Sequence, residues 1–117
     1  MANNDPDCLF CKIVAGDIPA DVVHSTDTVL AFRDIEPQAP VHVLVIPRNH
    51  HRSAVELSAA EPETAVALLD AVGTVAAQEG LTDGYRLVFN TGRGANQLVP
   101  HVHAHVLGGR PLGWPPG

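Results

Sequence analysis

The 117-residue chain is poor in basic charge, cysteine, aromatic side chains and long apolar runs, and each shortage closes off a class of function. Seven Lys and Arg stand against thirteen Asp and Glu, a formal net charge of −6. With only one Trp, one Tyr and three Phe besides, the chain is not expected to bind nucleic acid or an anionic membrane. Two cysteines are too few for a secreted disulfide scaffold. No apolar run approaches the ~18 residues of a membrane span. Met1 to Asp5 has neither a basic region nor an apolar stretch, so no signal peptide is expected and a cytoplasmic location is. What is present, 45% apolar and 17% charged residues, is an ordinary globular balance. It predicts one domain over 1–117, with 1–6 as a loose tail and 108–117 as a second tail.

Local patterns predict an α+β fold with a five-stranded antiparallel sheet, one short helix and one long one. Asp7 is placed to cap a helix over Cys8 to Val14, ended by Gly16 and Pro19. Val22 to His24 and Thr28 to Phe32 read as paired strands, and Val41 to Ile46 as a buried strand closed by Pro47. Ser58-Ala59-Ala60-Glu61 matches a capping box, and Pro62 suits the first turn of a helix running to Glu79. Tyr85 to Phe89 and Val99 to Leu107 complete the strands, in mostly meander order. Thr91 to Asn96 is a small-residue loop between these last two.

Seven histidines are unusually clustered. His101, His103 and His105 alternate along one segment, so on a strand they share one face, roughly 6.6 Å apart. Val102, Ala104 and Val106 take the core face, which leaves the imidazoles lining a surface or cleft. Such a row is a polar face, a metal site or a nucleophilic and acid–base centre. Cys8-x-x-Cys11 is a metal-binding or redox spacing, and no βαβ pattern accompanies it to suggest a thioredoxin-like site.

His101-Val102-His103-Ala104-His105-Val106-Leu107 resembles the signature of the histidine triad (HIT) superfamily. The stretches Asp7 to Ile13, Phe32 to Ile35, Pro37 to Pro40, His42 to Pro47, Gly84 to Arg86 and Leu107 to Gly117 resemble its Hint-like branch. The resemblance implies a HIT-like fold and a purine nucleoside phosphoramidase. In that reading His103 attacks the α-phosphorus and expels an amine, and water then hydrolyses the nucleotidyl-histidine. His105 would serve as acid or hydrogen-bond donor, His101 would help orient His103, and His42 would complete the cluster. Leu9, Phe10, Ile13, Phe32 and Ile35 would form the purine pocket, with Asp34 accepting from ribose hydroxyls. Asn90, Asn96, Gln97 and Leu98 would line the phosphate side. Another branch of the superfamily, dinucleoside polyphosphate hydrolases, is the alternative enzyme, and a nucleotide- or zinc-binding regulator the alternative outside catalysis.

The same resemblance implies a structural Zn²⁺ held by Cys8, Cys11, His50 and His101, with His51 able to replace His50. It also implies a symmetric homodimer whose C-terminal tail, carrying Trp114, crosses to the partner's site. Two positions depart from the branch. Leu98 stands where a serine commonly donates to the scissile group, and Asn96 where a glycine is common. Pro100, directly before the triad, lacks a backbone donor and suits an edge or loop.

Overall fold

The computed structural model describes residues 4–117. Part of the expected N-terminal tail, residues 1–3, lies outside them. Five strands, β1 (Val22–Ser25), β2 (Val29–Arg33), β3 (Val41–Pro47), β4 (Arg86–Phe89) and β5 (Ala104–Gly108), form one sheet in the order β1-β2-β3-β5-β4. Every neighbouring pair is antiparallel. The meander therefore holds for three strands only, and β5 inserts between β3 and the edge strand β4.

Period-two alternation builds two cores on the two faces of this sheet. Val29, Ala31, Val43 and Val45 point to one face with Val102, Ala104 and Val106. They bury against Leu57, Leu68, Ala71, Val72 and Val75 of two helices, α2 (Ala54–Ala60) and α3 (Pro62–Gln78). Leu30, Phe32, Leu44 and Ile46 point the other way, against Cys8, Phe10 and Cys11 at the short helix α1 (Leu9–Val14).

Several boundaries differ from expectation. Cys8, not Asp7, caps α1, its Sγ accepting from the Cys11 amide at 3.4 Å. Residues 5–7 are not a loose tail, since the Cys8 amide donates to the Asp5 carbonyl and the Asp5 amide to Cys11 Sγ. The working cap is Ser53, whose Oγ accepts from the Glu56 amide while Glu56 Oε2 accepts from the Arg52 amide, and it opens the unanticipated helix α2. Ser58 lies inside that helix with its hydroxyl on the Val55 carbonyl. Glu61 caps α3 through no side-chain bond, and Pro62 takes the first turn as expected. Finally, the β5 ladder starts at Ala104 rather than Val99. The stretch before it is held otherwise, the Val102 amide donating to the His51 carbonyl at 2.7 Å.

Candidate active site and metal centre

The histidine alternation survives although the strand begins late. Leu44 pairs with His105 across β3 and β5, which places His42 and His105 on one face as diagonal neighbours. His101 and His103 extend the row on that face, beside α1. Burial is deeper than a row lining a surface would require: His101 is wholly buried, and His42 and His103 nearly so.

Hydrogen-bond partners dictate where each ring proton sits. His103 Nδ1 meets the His101 carbonyl at 2.9 Å, and a carbonyl only accepts, so Nδ1 carries the proton and Nε2 keeps a lone pair. His101 Nε2 likewise donates to the Pro47 carbonyl at 2.8 Å, leaving its Nδ1 as the lone-pair nitrogen. The Gln38 amide donates to His42 Nδ1 at 3.0 Å, so His42 Nε2 carries hydrogen and donates to His105 Nδ1 at 2.8 Å. The remaining proton of His105 is thereby placed on Nε2. Burial, the largest influence on each ring, pulls the His42 and His103 pKa values down and those of His101 and His105 to about 4. At neutral pH the cluster is uncharged: one imidazole with an open Nε2, one with an Nε2–H. Asp34, His42 and His105 lie close enough to hold an ion, yet His42 already spends its one N–H there, with Asp34 Oδ2 3.4 Å away.

His103 and His105 open into a largely apolar cleft of about 810 Å³. Of the residues expected at a nucleotide site, Leu9, Phe10, Ile13, Phe32, Asp34, Ile35, Asn90, Asn96 and Leu98 line it. Asp34 also does a turn residue's work, its Oδ1 accepting from the Glu36 amide. Asn90 reaches the loop at the Ala95 carbonyl, and Asn96 takes the left-handed conformation with φ 64°. Gln97 does not line the cleft. Its amide instead braces the loop, accepting from Gly92 and donating to the Arg52 and Val99 carbonyls. Trp114 is exposed and stands apart from its own chain's cleft. Ile18, Pro19, Leu44 and Val99 line it unanticipated. Continuing the alternation from His42 would have found Leu44, whereas the others sit outside helices and strands and carry no periodic signal.

The His101 ring turns away from the cleft. Its Nδ1 lies 3.5 Å from both Cys8 Sγ and Cys11 Sγ, so only its carbonyl reaches the His103 ring. His50 Nδ1 lies 3.5 Å from Cys11 Sγ, and the donor atoms of Cys8, Cys11, His50 and His101 all fall within 4.8 Å of one another. Sulfur and nitrogen ligands of one tetrahedral Zn²⁺ are themselves about 3.5 Å apart, so these four residues fit the ion. His51 does not join them; its Nε2 pairs with Glu61. Burial pushes the Cys11 thiol up, and a bound divalent cation would supply the charge that makes it a thiolate ligand.

A row of triad histidines over this sheet defines a class, and comparison with known proteins agrees. The HIT domain model matches residues 15–112, and the chain belongs to the HIT family. It is 45% identical over 106 residues to the purine nucleoside phosphoramidase of Escherichia coli K12, covering 90% of this chain and 89% of that one. It is 46% identical over 116 residues to a 14 kDa zinc-binding protein of Zea mays, covering 97% and 91%. A HIT family hydrolase of Legionella pneumophila has the same fold, with TM-score 0.90 and 48% identity over 95% of this chain and 100% of that one.

Proposed function

We propose that this protein, a hydrolase of the HIT family, cleaves purine nucleoside 5′-phosphoramidates. The observation that carries the reading is the fixed tautomer of His103, whose Nδ1–H is spent on the His101 carbonyl beside an apolar cleft, leaving Nε2 to attack. Its lone pair forms a bond to the α-phosphorus as the P–N bond to the amine breaks. The departing nitrogen takes a proton from water at the cleft mouth. A second water then attacks phosphorus, the bond to Nε2 breaks, and the proton it releases neutralises the hydroxide left by the first step. The net change is one water consumed, with one amine and one nucleoside monophosphate formed. During the intermediate the imidazole is cationic, and the His101 carbonyl stabilises its Nδ1–H.

His105, neutral at pH 7 with hydrogen on Nε2, suits donation to a phosphoryl oxygen better than proton transfer to the amine. The purine is assigned to the slot of Leu9, Phe10, Ile13 and Phe32, and the ribose hydroxyls to Asp34. Cys8, Cys11, His50 and His101 would hold a structural Zn²⁺, consistent with the Zea mays relative's name. The exposed Trp114 suits a homodimer in which each tail serves the partner's cleft.

The test is AMP release from adenosine 5′-phosphoramidate, with His103→Ala alongside. Turnover that vanishes in the variant, and an AMP adduct on the wild type captured by an alkaline denaturing quench, support the reading. AMP binding without turnover overturns it in favour of a nucleotide-binding regulator. Cleavage of diadenosine polyphosphates alone moves the activity to the other branch.

A further inference from the structure

The metal-site residues and the reactive histidine share more than proximity. His101 uses three groups at once: Nδ1 toward both thiols, Nε2–H on the Pro47 carbonyl, and its own carbonyl on His103 Nδ1–H. A second connection runs through α1. Phe10 lies between the two cysteines in sequence, and its ring meets His103 edge-to-face, with centroids 5.0 Å apart and planes at 86°. The same ring touches His101 at 5.9 Å and Phe32 at 5.6 Å, and it lines the cleft. The ligand set is therefore joined to the attacking imidazole once through backbone and once through an aromatic wall.

We propose that the Cys8-Cys11-His50-His101 cluster, when it holds Zn²⁺, positions the nucleophile, with His101 and Phe10 as positioning residues that hold the His103 tautomer and ring plane. The inference rests on the proposed phosphoramidase reading for its kinetic test and on ring geometry alone for its spectroscopic one. Metal loss would untie His101 from the two thiols and so release one anchor of the backbone whose carbonyl holds His103 Nδ1–H. It would also free α1, and Phe10 would leave the His103 face.

The experiment compares zinc-loaded protein, protein stripped by a chelator and dialysed, and stripped protein reloaded with Zn²⁺ or Co²⁺. Histidine-ring nitrogen–proton NMR correlations report the His103 tautomer, and rapid quench reports the single-turnover rate of adduct formation on His103. The expected result is one Nδ1–H tautomer with metal and mixed tautomers without it. The rate of adduct formation should fall roughly tenfold or more on stripping and return on reloading. An unchanged tautomer and rate in folded, stripped protein overturn the proposal, as does a protein that takes up no stoichiometric zinc. Should stripping unfold the chain, Phe10→Leu, which keeps all four ligands, decides it. Because Phe10 also lines the cleft, the readout there is the substrate-free His103 tautomer: zinc retained with mixed tautomers supports the coupling, and zinc retained with the single Nδ1–H tautomer overturns it. If the loaded wild type forms no adduct, the phosphoramidase reading fails, and the tautomer comparison still decides the coupling.

Discussion

His42 donates through Nε2 to His105 Nδ1 across 2.8 Å, and the Gln38 amide blocks the other nitrogen of His42, so the proton of His105 is held on Nε2. In the proposed reaction His42 would therefore act only through His105. Removing the His105 donor, as in His105→Ala, is expected to lower kcat by about a hundredfold. His42→Ala should cost less, about tenfold, because the neutral His105 would still populate the Nε2–H tautomer part of the time. The double variant should be no worse than His105→Ala, since residues acting as one unit are not additive. Steady-state kinetics on the three proteins settles the point, and an additive double variant would refute the relay.

The depressed pKa of His105 also makes a statement about stability. Burial lowers it from the ordinary 6.5 to about 4, so the unfolded chain binds the proton first as pH falls. The stabilisation is complete above pH 6.5 and is lost as pH drops from 6.5 toward 4. Between pH 7 and pH 5 the wild type should lose about 1 kcal/mol more than His105→Gln, after discounting the ring's partial exposure. Urea unfolding at the two pH values, with zinc content held constant, measures this, and parallel losses would contradict it.

The strands, the long helix and the histidine row were legible because they carry strong periodicity. The helix α2 was not, since Leu57 is its one buried residue and it presents no apolar stripe. Its cap was misplaced because Ser53 to Glu56 and Ser58 to Glu61 match the same box, and tertiary contacts alone separate them. The choice between His50 and His51 was equally out of reach. It is made by Glu61, which pairs with His51 from ten residues away and leaves His50 beside Cys11. Residue spacing placed the imidazoles on one face and left their chemistry open. Their tautomers depend on backbone groups that no motif records: the His101 carbonyl for His103, the Pro47 carbonyl for His101 and the Gln38 amide for His42.

Gly109 follows β5 with φ +87°, and a Cβ there would lie 3.0 Å from Pro40 Cβ. Gly109→Ala therefore combines backbone strain with a contact against a rigid ring, and should cost about 1–2 kcal/mol. At Gly113 a Cβ meets nothing within 4 Å, so Gly113→Ala should stay within about 0.5 kcal/mol of wild type. Chemical denaturation distinguishes the two, and equal midpoints would show that the turn after β5 relaxes freely.

Leu98 lines the cleft and is 81% exposed, so it contributes little to folding and its effect should fall on the reaction. A serine hydroxyl in its place could hydrogen-bond the scissile nitrogen as the P–N bond lengthens. One such bond to a group in transit is worth about 0.5–1.5 kcal/mol, or roughly twofold to tenfold in rate. Leu98→Ser is therefore expected to raise kcat on adenosine 5′-phosphoramidate by that factor while KM and the melting temperature hardly move. Because Gln97, its neighbour, is pinned to Arg52 and Val99, the loop should keep its path in the variant. A rise confined to KM would mean that Leu98 acts in ground-state binding, and no change in either constant would remove it from the reacting centre.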